Sequence, residues 1–179
     1  MRYLVFLFFF FLLRPIYGQV ETKHESRNDA NFNMFPNKCL GVWEGQMYIY
    51  VQNVLRDSVA VRFTAAASDS VGVYIWKTEY LSENEPIIKD YKLRVDDLSK
   101  GRYLLDEGNG IGIIEFNYGD KLYSAFQTEN IYLTSTTELR GEKLIFEVSS
   151  GRIINPDDEV ISYSFDHLQR VELTRTQTR

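Results

Sequence analysis

The stretch that decides the fold is Gly41-Val42-Trp43-Glu44-Gly45-Gln46-Met47-Tyr48-Ile49-Tyr50-Val51. Trp43, Met47, Ile49 and Val51 fall on alternate positions of it, so they share one face of a strand. The same period of two continues along the chain. Val59, Val61 and Phe63 define a second strand, and Tyr74, Trp76, Thr78 and Tyr80 a third. Glu83–Pro86 reads as a turn into a fourth, carried by Tyr91, Leu93 and Val95. After a polar break at Asp96–Gly101 comes Arg102–Glu107. Asn109-Gly110 then gives the strongest hairpin signal, since both residues tolerate the positive φ of a type I′ turn. Ile111–Tyr118 returns from it, and Leu122, Ser124 and Phe126 share a face of the next strand. Ile131–Leu139 follows, then a strand with Leu144, Phe146 and Val148, and finally Val160–Arg175, where Val171 and Leu173 alternate.

Punctuation every 8 to 12 residues and no convincing amphipathic helix predict an all-β chain of about ten strands. A meander of that length exposes two edges unless it closes on itself. Short up-and-down connections favour a barrel over a sandwich, which needs longer Greek-key crossings. The expected fold is therefore a single antiparallel up-and-down barrel of about eight to ten strands.

Upstream of the barrel the composition changes. Met1-Arg2 is a short positive start, Tyr3–Leu13 is wholly apolar, and Arg14-Pro15 ends the run before Ile16-Tyr17-Gly18. Bilayer spans need about 20 apolar residues, so this layout reads as an export signal. Residues 1–18 are expected to be a signal peptide, 19–38 a polar flexible arm and 39–176 the barrel domain. The expected location is periplasmic or secreted. The 179-residue chain carries a formal charge of −5. Losing Arg2 and Arg14 with the signal moves it to −7. That balance excludes a nucleic-acid partner held by a basic surplus. A single Cys excludes a disulfide scaffold and thiolate zinc clusters.

Catalytic residues are scarce. His24 lies in the arm, and His167 has Asp166 as its strand neighbour, where alternation points the two to opposite faces. Asp106-Glu107 lacks the alternate-ligand spacing of a calcium loop and the separation of glycosidase carboxylates. Glycines 108, 110 and 112 precede a strand, not the helix a phosphate cradle requires. Haem would need an axial His, Met, Cys or Tyr, and His167 is the one well-placed histidine. No cofactor, metal or enzymatic activity is expected. Cys39 reads as a buried small hydrophobe, with a reactive or intermolecular thiol as the alternatives.

Aromatic residues are the more informative set, serving either as core or as the walls of a cup for one small guest. The candidate ligand-binding residues are Arg62, Trp76, Tyr91, Arg94, Tyr103, Tyr123 and Phe126, with either arginine able to hold a carboxylate headgroup if it points inward.

Gly41-Val42-Trp43 at the start of the first strand resembles the Gly-x-Trp opening of lipocalins and related calycin barrels. The resemblance implies that Trp43 packs at the closed end beneath a basic side chain of the last strand, Arg170 or Arg175. Arg175 is the better candidate, because it shares the face of Val171 and Leu173. Asp106–Ile111, Leu122-Tyr123-Ser124-x-Phe126 and Phe146-Glu147-Val148 are similar to uncharacterised exported lipocalin-like proteins of bacteria. Lys89-Asp90-Tyr91 is a partial echo of the second lipocalin signature. The resemblance thus implies an exported, non-enzymatic, lipocalin-like barrel binding a small apolar or amphipathic ligand. The alternative is a packed barrel acting as a structural or interaction module of the cell envelope, with an unidentified protein partner.

Overall fold

A computed structural model describes residues 34–82, 85–154 and 159–176. The expected signal peptide, 1–18, most of the arm, 19–33, and part of the Glu83–Pro86 turn lie outside the described residues. The chain enters through one helical turn, α1 (Phe35–Lys38). Twelve strands follow: β1 (Gly41–Val51), β2 (Val54–Ala67), β3 (Val73–Tyr80), β4 (Ile87–Asp97), β5 (Arg102–Asp106), β6 (Gly112–Tyr118), β7 (Lys121–Thr128), β8 (Ile131–Arg140), β9 (Lys143–Gly151), β10 (Ile153–Ile154), β11 (Ser162–Tyr163) and β12 (His167–Arg175). Ten of them close into an antiparallel barrel, each strand beside its sequence neighbour, and β10 and β11 form a separate two-stranded ribbon. Closure is made by β1, which pairs with β2 on one side and β12 on the other, aligning Trp43 with both Phe63 and Arg175. The expected barrel is therefore observed, with ten staves.

Alternation sets what lies inside. Trp43 and Met47 on β1 are buried, and so are Val61 and Phe63 on β2, Tyr74 and Trp76 on β3, and Val171 and Leu173 on β12. Gly45 belongs to the same inward set because β1 and β12 run very close there. A Cβ at this position would lie 2.0 Å from the Glu172 carbonyl oxygen.

Two turns depart from the sequence reading. Val51 pairs with Val54, and the intervening Gln52 and Asn53 have φ of 48° and 64°. A two-residue loop with both φ positive is the I′ geometry that matches strand twist, and it occurs here without glycine. At Asn109-Gly110 the I′ turn is absent. Gly108 and Gly110 take φ of 85° and 87° while Asn109 does not, and Asp106 pairs with Gly112 across a longer loop. Side-chain oxygens organise that loop: Asp106 Oδ1 accepts from the Gly108 amide at 2.9 Å and Asn109 Oδ1 from the Ile111 amide at 3.2 Å. Local Asx bonding won over the dipeptide's turn preference.

Residues 35–38, expected as the end of the polar arm where Phe35 could pin it over the domain, form a helical turn. Pro36 starts the helical turn, and Phe35 is fully buried with its ring centroid 6.5 Å from that of Trp76. Lys38 Nζ reaches Asp120 Oδ1 at 2.7 Å, tying the turn to the β6–β7 connection. The segment plugs one end of the barrel, and apolar burial of Phe35 and Cys39 holds it there.

Candidate functional site

The plugged end is solid. Trp43, Phe63, Leu93, Leu122, Leu144 and Leu173 are each 1% exposed or less. Trp43 Nε1 donates to the Cys39 carbonyl at 2.8 Å. Arg175 covers the ring from the other side, its Cζ 4.1 Å from the Trp43 centroid, and its Nη2 donates to the Lys38 carbonyl at 2.9 Å. Its Nη1 donates to the Leu40 carbonyl. Gly41 makes room for this: its φ is 126°, and a Cβ would meet Arg175 Nη1 at 2.9 Å. Arg170 instead pairs with Glu147 and Glu172.

Toward the opposite end the interior opens. A deeper chamber of 130 Å³ lies against Met47, Trp76, Tyr91, Glu115, Phe146 and Gln169. It shares Thr78, Tyr80, Tyr91, Leu105, Ser135 and Val148 with an outer cavity of 740 Å³. That outer volume falls within the range of small-molecule sites, about 300–1,000 Å³.

The outer cavity also passes through the wall. It touches inward-facing Ile113 and Phe126 together with outward-facing Ile114 and Ala125, which is possible only if β6 and β7 stand apart there. Their register agrees. Pairs run from Tyr118↔Lys121 to Phe116↔Tyr123 and stop, although β6 continues back to Gly112 and β7 on to Thr128. The barrel is thus closed as a circuit but slit along half of one seam.

The polar groups of the interior gather beside that seam. Glu115, Ser124 and Thr137, on β6, β7 and β8, are 4%, 7% and 7% exposed. Ser124 Oγ and Ser135 Oγ share a hydrogen bond of 2.7 Å. Glu115 sits opposite Tyr103 and has no hydrogen-bonding or charged partner among the described residues. Burial alone pushes its carboxyl up to about 7, since desolvation disfavours the ionised form. No fully enclosed side-chain nitrogen or oxygen among the described residues lacks a partner, so the carboxyl's free bonding capacity is turned to the chamber. At the mouth, burial and then the neighbouring Glu107 raise the Tyr91 phenol above its usual range.

Of the residues expected to meet a ligand, Trp76, Tyr91 and Phe126 line the cavity. Tyr103 points inward but is packed in the solid half at 2% exposure, where burial pushes its hydroxyl up to about 12. Arg62, Arg94 and Tyr123 do not face the interior. Arg62 meets Glu44 at 2.8 Å, Arg94 meets Asp106 at 2.8 Å, and Tyr123 is 43% exposed beneath Lys121. Each occupies the outward phase of its strand, where the two arginines pair with opposite charges on neighbouring staves in water. No carboxylate headgroup can be held by those arginines from outside the wall.

Glu115 was not among the candidates from sequence. Its strand reads Gly112-Ile113-Ile114-Glu115-Phe116-Asn117-Tyr118, and the larger apolar side chains Phe116 and Tyr118 sit in the phase that turns out to face outward. The signal that assigns the phase is the Gly119-Asp120 turn. It sets Asn117 against Leu122, and so puts Glu115 on the inward face with Leu122 and Ser124.

Fold and site together define a closed ten-strand antiparallel barrel, plugged at one end and hollow at the other. No family model matches the chain, and no curated protein does. Among solved structures it is similar to a protein of unknown function from the DUF3598 family of Nostoc punctiforme, with 14% identity and a TM-score of 0.55. That match covers 78% of this chain and 48% of the other, so the chain spans about half the length of that protein. Rv2717c from M. tuberculosis is matched at 15% identity and a TM-score of 0.47, over 77% of this chain and 92% of that one. The first likeness shows the fold alone.

Proposed function

We propose that this protein is an exported, non-enzymatic, lipocalin-like carrier that holds one small apolar or amphipathic molecule inside its barrel. The observation that carries the reading is the pair of adjoining cavities in the open half, 740 Å³ outside and 130 Å³ within, walled by Trp76, Tyr80, Tyr91, Leu105, Phe126 and Val148. Apolar walls with a few polar groups supply affinity by burial and orientation by hydrogen bonds. The slit between β6 and β7 gives a long ligand a second route besides the mouth. A packed envelope module, the competing reading, calls for an interior filled by side chains, as the plugged half is.

Native mass spectrometry of the purified barrel after incubation with a lipid extract tests the carrier reading. A stoichiometric bound mass that is lost when Leu105→Trp fills the cavity is the expected result. No adduct from any extract would overturn it. Export is tested separately, by amino-terminal sequencing of the protein recovered outside the cytoplasm, with a new terminus at Gln19 expected.

A further inference from the structure

Glu115 decides the polarity of the guest. It is 4% exposed, opens on the deeper chamber and has no protein counter-charge among the described residues. Among the described residues nothing cationic lines that chamber; its polar walls are chiefly hydroxyls and the amide of Gln169. Lys89 stands farther out, at the mouth. Buried acids ordinarily have a partner, because an unpaired one loses its hydration and gains nothing in return. Here the missing partner has space. The rings of Trp76, Tyr91 and Phe146 border the same chamber, and aromatic faces attract cations. An anionic head would meet Glu115 with no basic residue to hold it, since Arg62 and Arg94 are outside the wall.

We propose that the deeper chamber binds the protonated amine of a small amphipathic molecule, with Glu115 as its counter-ion and the outer cavity holding its apolar body. This rests on the carrier reading and adds the chemical class of the ligand. The pairing is a charge-assisted hydrogen bond, the stronger kind. The shared Ser124–Ser135 hydroxyls stand on the neighbouring strands β7 and β8.

Three probes with one body and different heads make the test: octylamine, octanol and octanoate, titrated calorimetrically into the intact protein near pH 7. The amine is expected to bind at least about tenfold more tightly than the alcohol, with octanoate weakest. In Glu115→Gln the amine is expected to lose that advantage and to bind no more tightly than octanol binds the same variant, octanol binding showing that the cavity is intact. Native protein supplies a second measurement. Repeating the amine titration in buffers of different ionisation enthalpy should show about half a proton released near pH 7, as a half-protonated Glu115 ionises to meet the ammonium. Among the described residues, the other titratable side chains facing the interior are Tyr74 and Tyr80 on β3, Tyr91 on β4, Tyr103 on β5, and Lys89 and Glu107 at the mouth, Tyr74 too being raised by burial. The tyrosines are all held above their usual range and release nothing near neutrality. Binding of octanol with no preference for the amine, or an amine preference that survives Glu115→Gln, would overturn the proposal and leave the carrier reading standing. Failure of all three probes to bind would overturn both.

Discussion

The guanidinium of Arg175 lies over Trp43 at the plugged end of the barrel, 4.1 Å from the centroid of the ring. It belongs to the last strand and Trp43 to the first, and the two are register partners. The contact therefore rivets the seam where the circuit closes, and the bond from Nη2 to the Lys38 carbonyl extends it to α1. Arg175→Met keeps the apolar stem and removes the cation and its donors. A loss of about 1–3 kcal/mol is expected, from one cation–π contact and the bonds to two carbonyls. Urea denaturation followed by tryptophan fluorescence measures it. An unchanged midpoint would mean that the pair contributes nothing to closure.

Glu115 makes stability depend on pH in a direction opposite to that of the paired carboxylates. Its folded-state pKa, about 7, lies above the 4.5 of an unperturbed glutamate, so the native state holds the proton more tightly than the unfolded chain. The stabilisation is complete below about pH 4.5 and is lost as pH rises through 7. Asp106, Glu138 and Glu172, lowered by hydrogen bonds and basic neighbours, work the other way and lose their contribution only in acid. Comparing Glu115→Gln with the native protein isolates the first effect. The variant's relative stability should rise by about 3 kcal/mol between pH 4.5 and 8, then level off. A difference that is flat across that window would place the carboxyl in contact with water.

How far the sequence carried depended on whether one strand or two had to be read. Within β1, the alternation of Trp43 and Met47 is enough to give the inward face, because the polar phase is occupied by Glu44 and Gln46. The resemblance to the Gly-x-Trp opening of lipocalins is what links Gly41 and Trp43 to the last strand, and alternation with Val171 and Leu173 picks Arg175. Within β6, both phases carry apolar residues, and the register of its hairpin with β7 is what turns Glu115 inward. Arg62 and Arg94 show the limit from the other side. Each is flanked by apolar residues along the chain, but the residue that satisfies it, Glu44 or Asp106, comes from a neighbouring strand. The loop between Asp106 and Gly112 is set by side-chain bonding that no dipeptide preference contains.

Cys39 has no exposure, and burial raises its thiol to about 12 despite the opposing pull of Arg175. Thiolate is the reactive form, so the native protein should be inert to an aromatic disulfide reagent at neutral pH. Labelling is expected to track global unfolding, rising with urea along the fluorescence transition. Fast labelling of the native state would show that α1 leaves the barrel end on the timescale of the reaction.

The slit between β6 and β7 makes the last prediction, and it concerns motion. Residues 112–115 and 124–128 have a paired strand on one side only, β5 and β8 respectively. Leu144–Val148 on β9 are flanked on both sides, by β8 and β12. Backbone amides that face a gap are satisfied by water and exchange by local opening, whereas doubly paired ones wait for larger unfolding. Hydrogen–deuterium exchange should therefore be faster in peptides covering both lips of the slit than in the β9 peptide. Outside, the β6 lip carries Ile114, 42% exposed, and Phe116 stands 40% exposed where the slit ends, so an apolar chain meets a surface it can wet before entering. A guest lying in the outer cavity, against Ile113 and Phe126, should slow exchange at both lips and leave β9 unchanged. Equal protection of all three segments in the free protein would mean that the wall is continuous, and that the mouth alone admits the ligand.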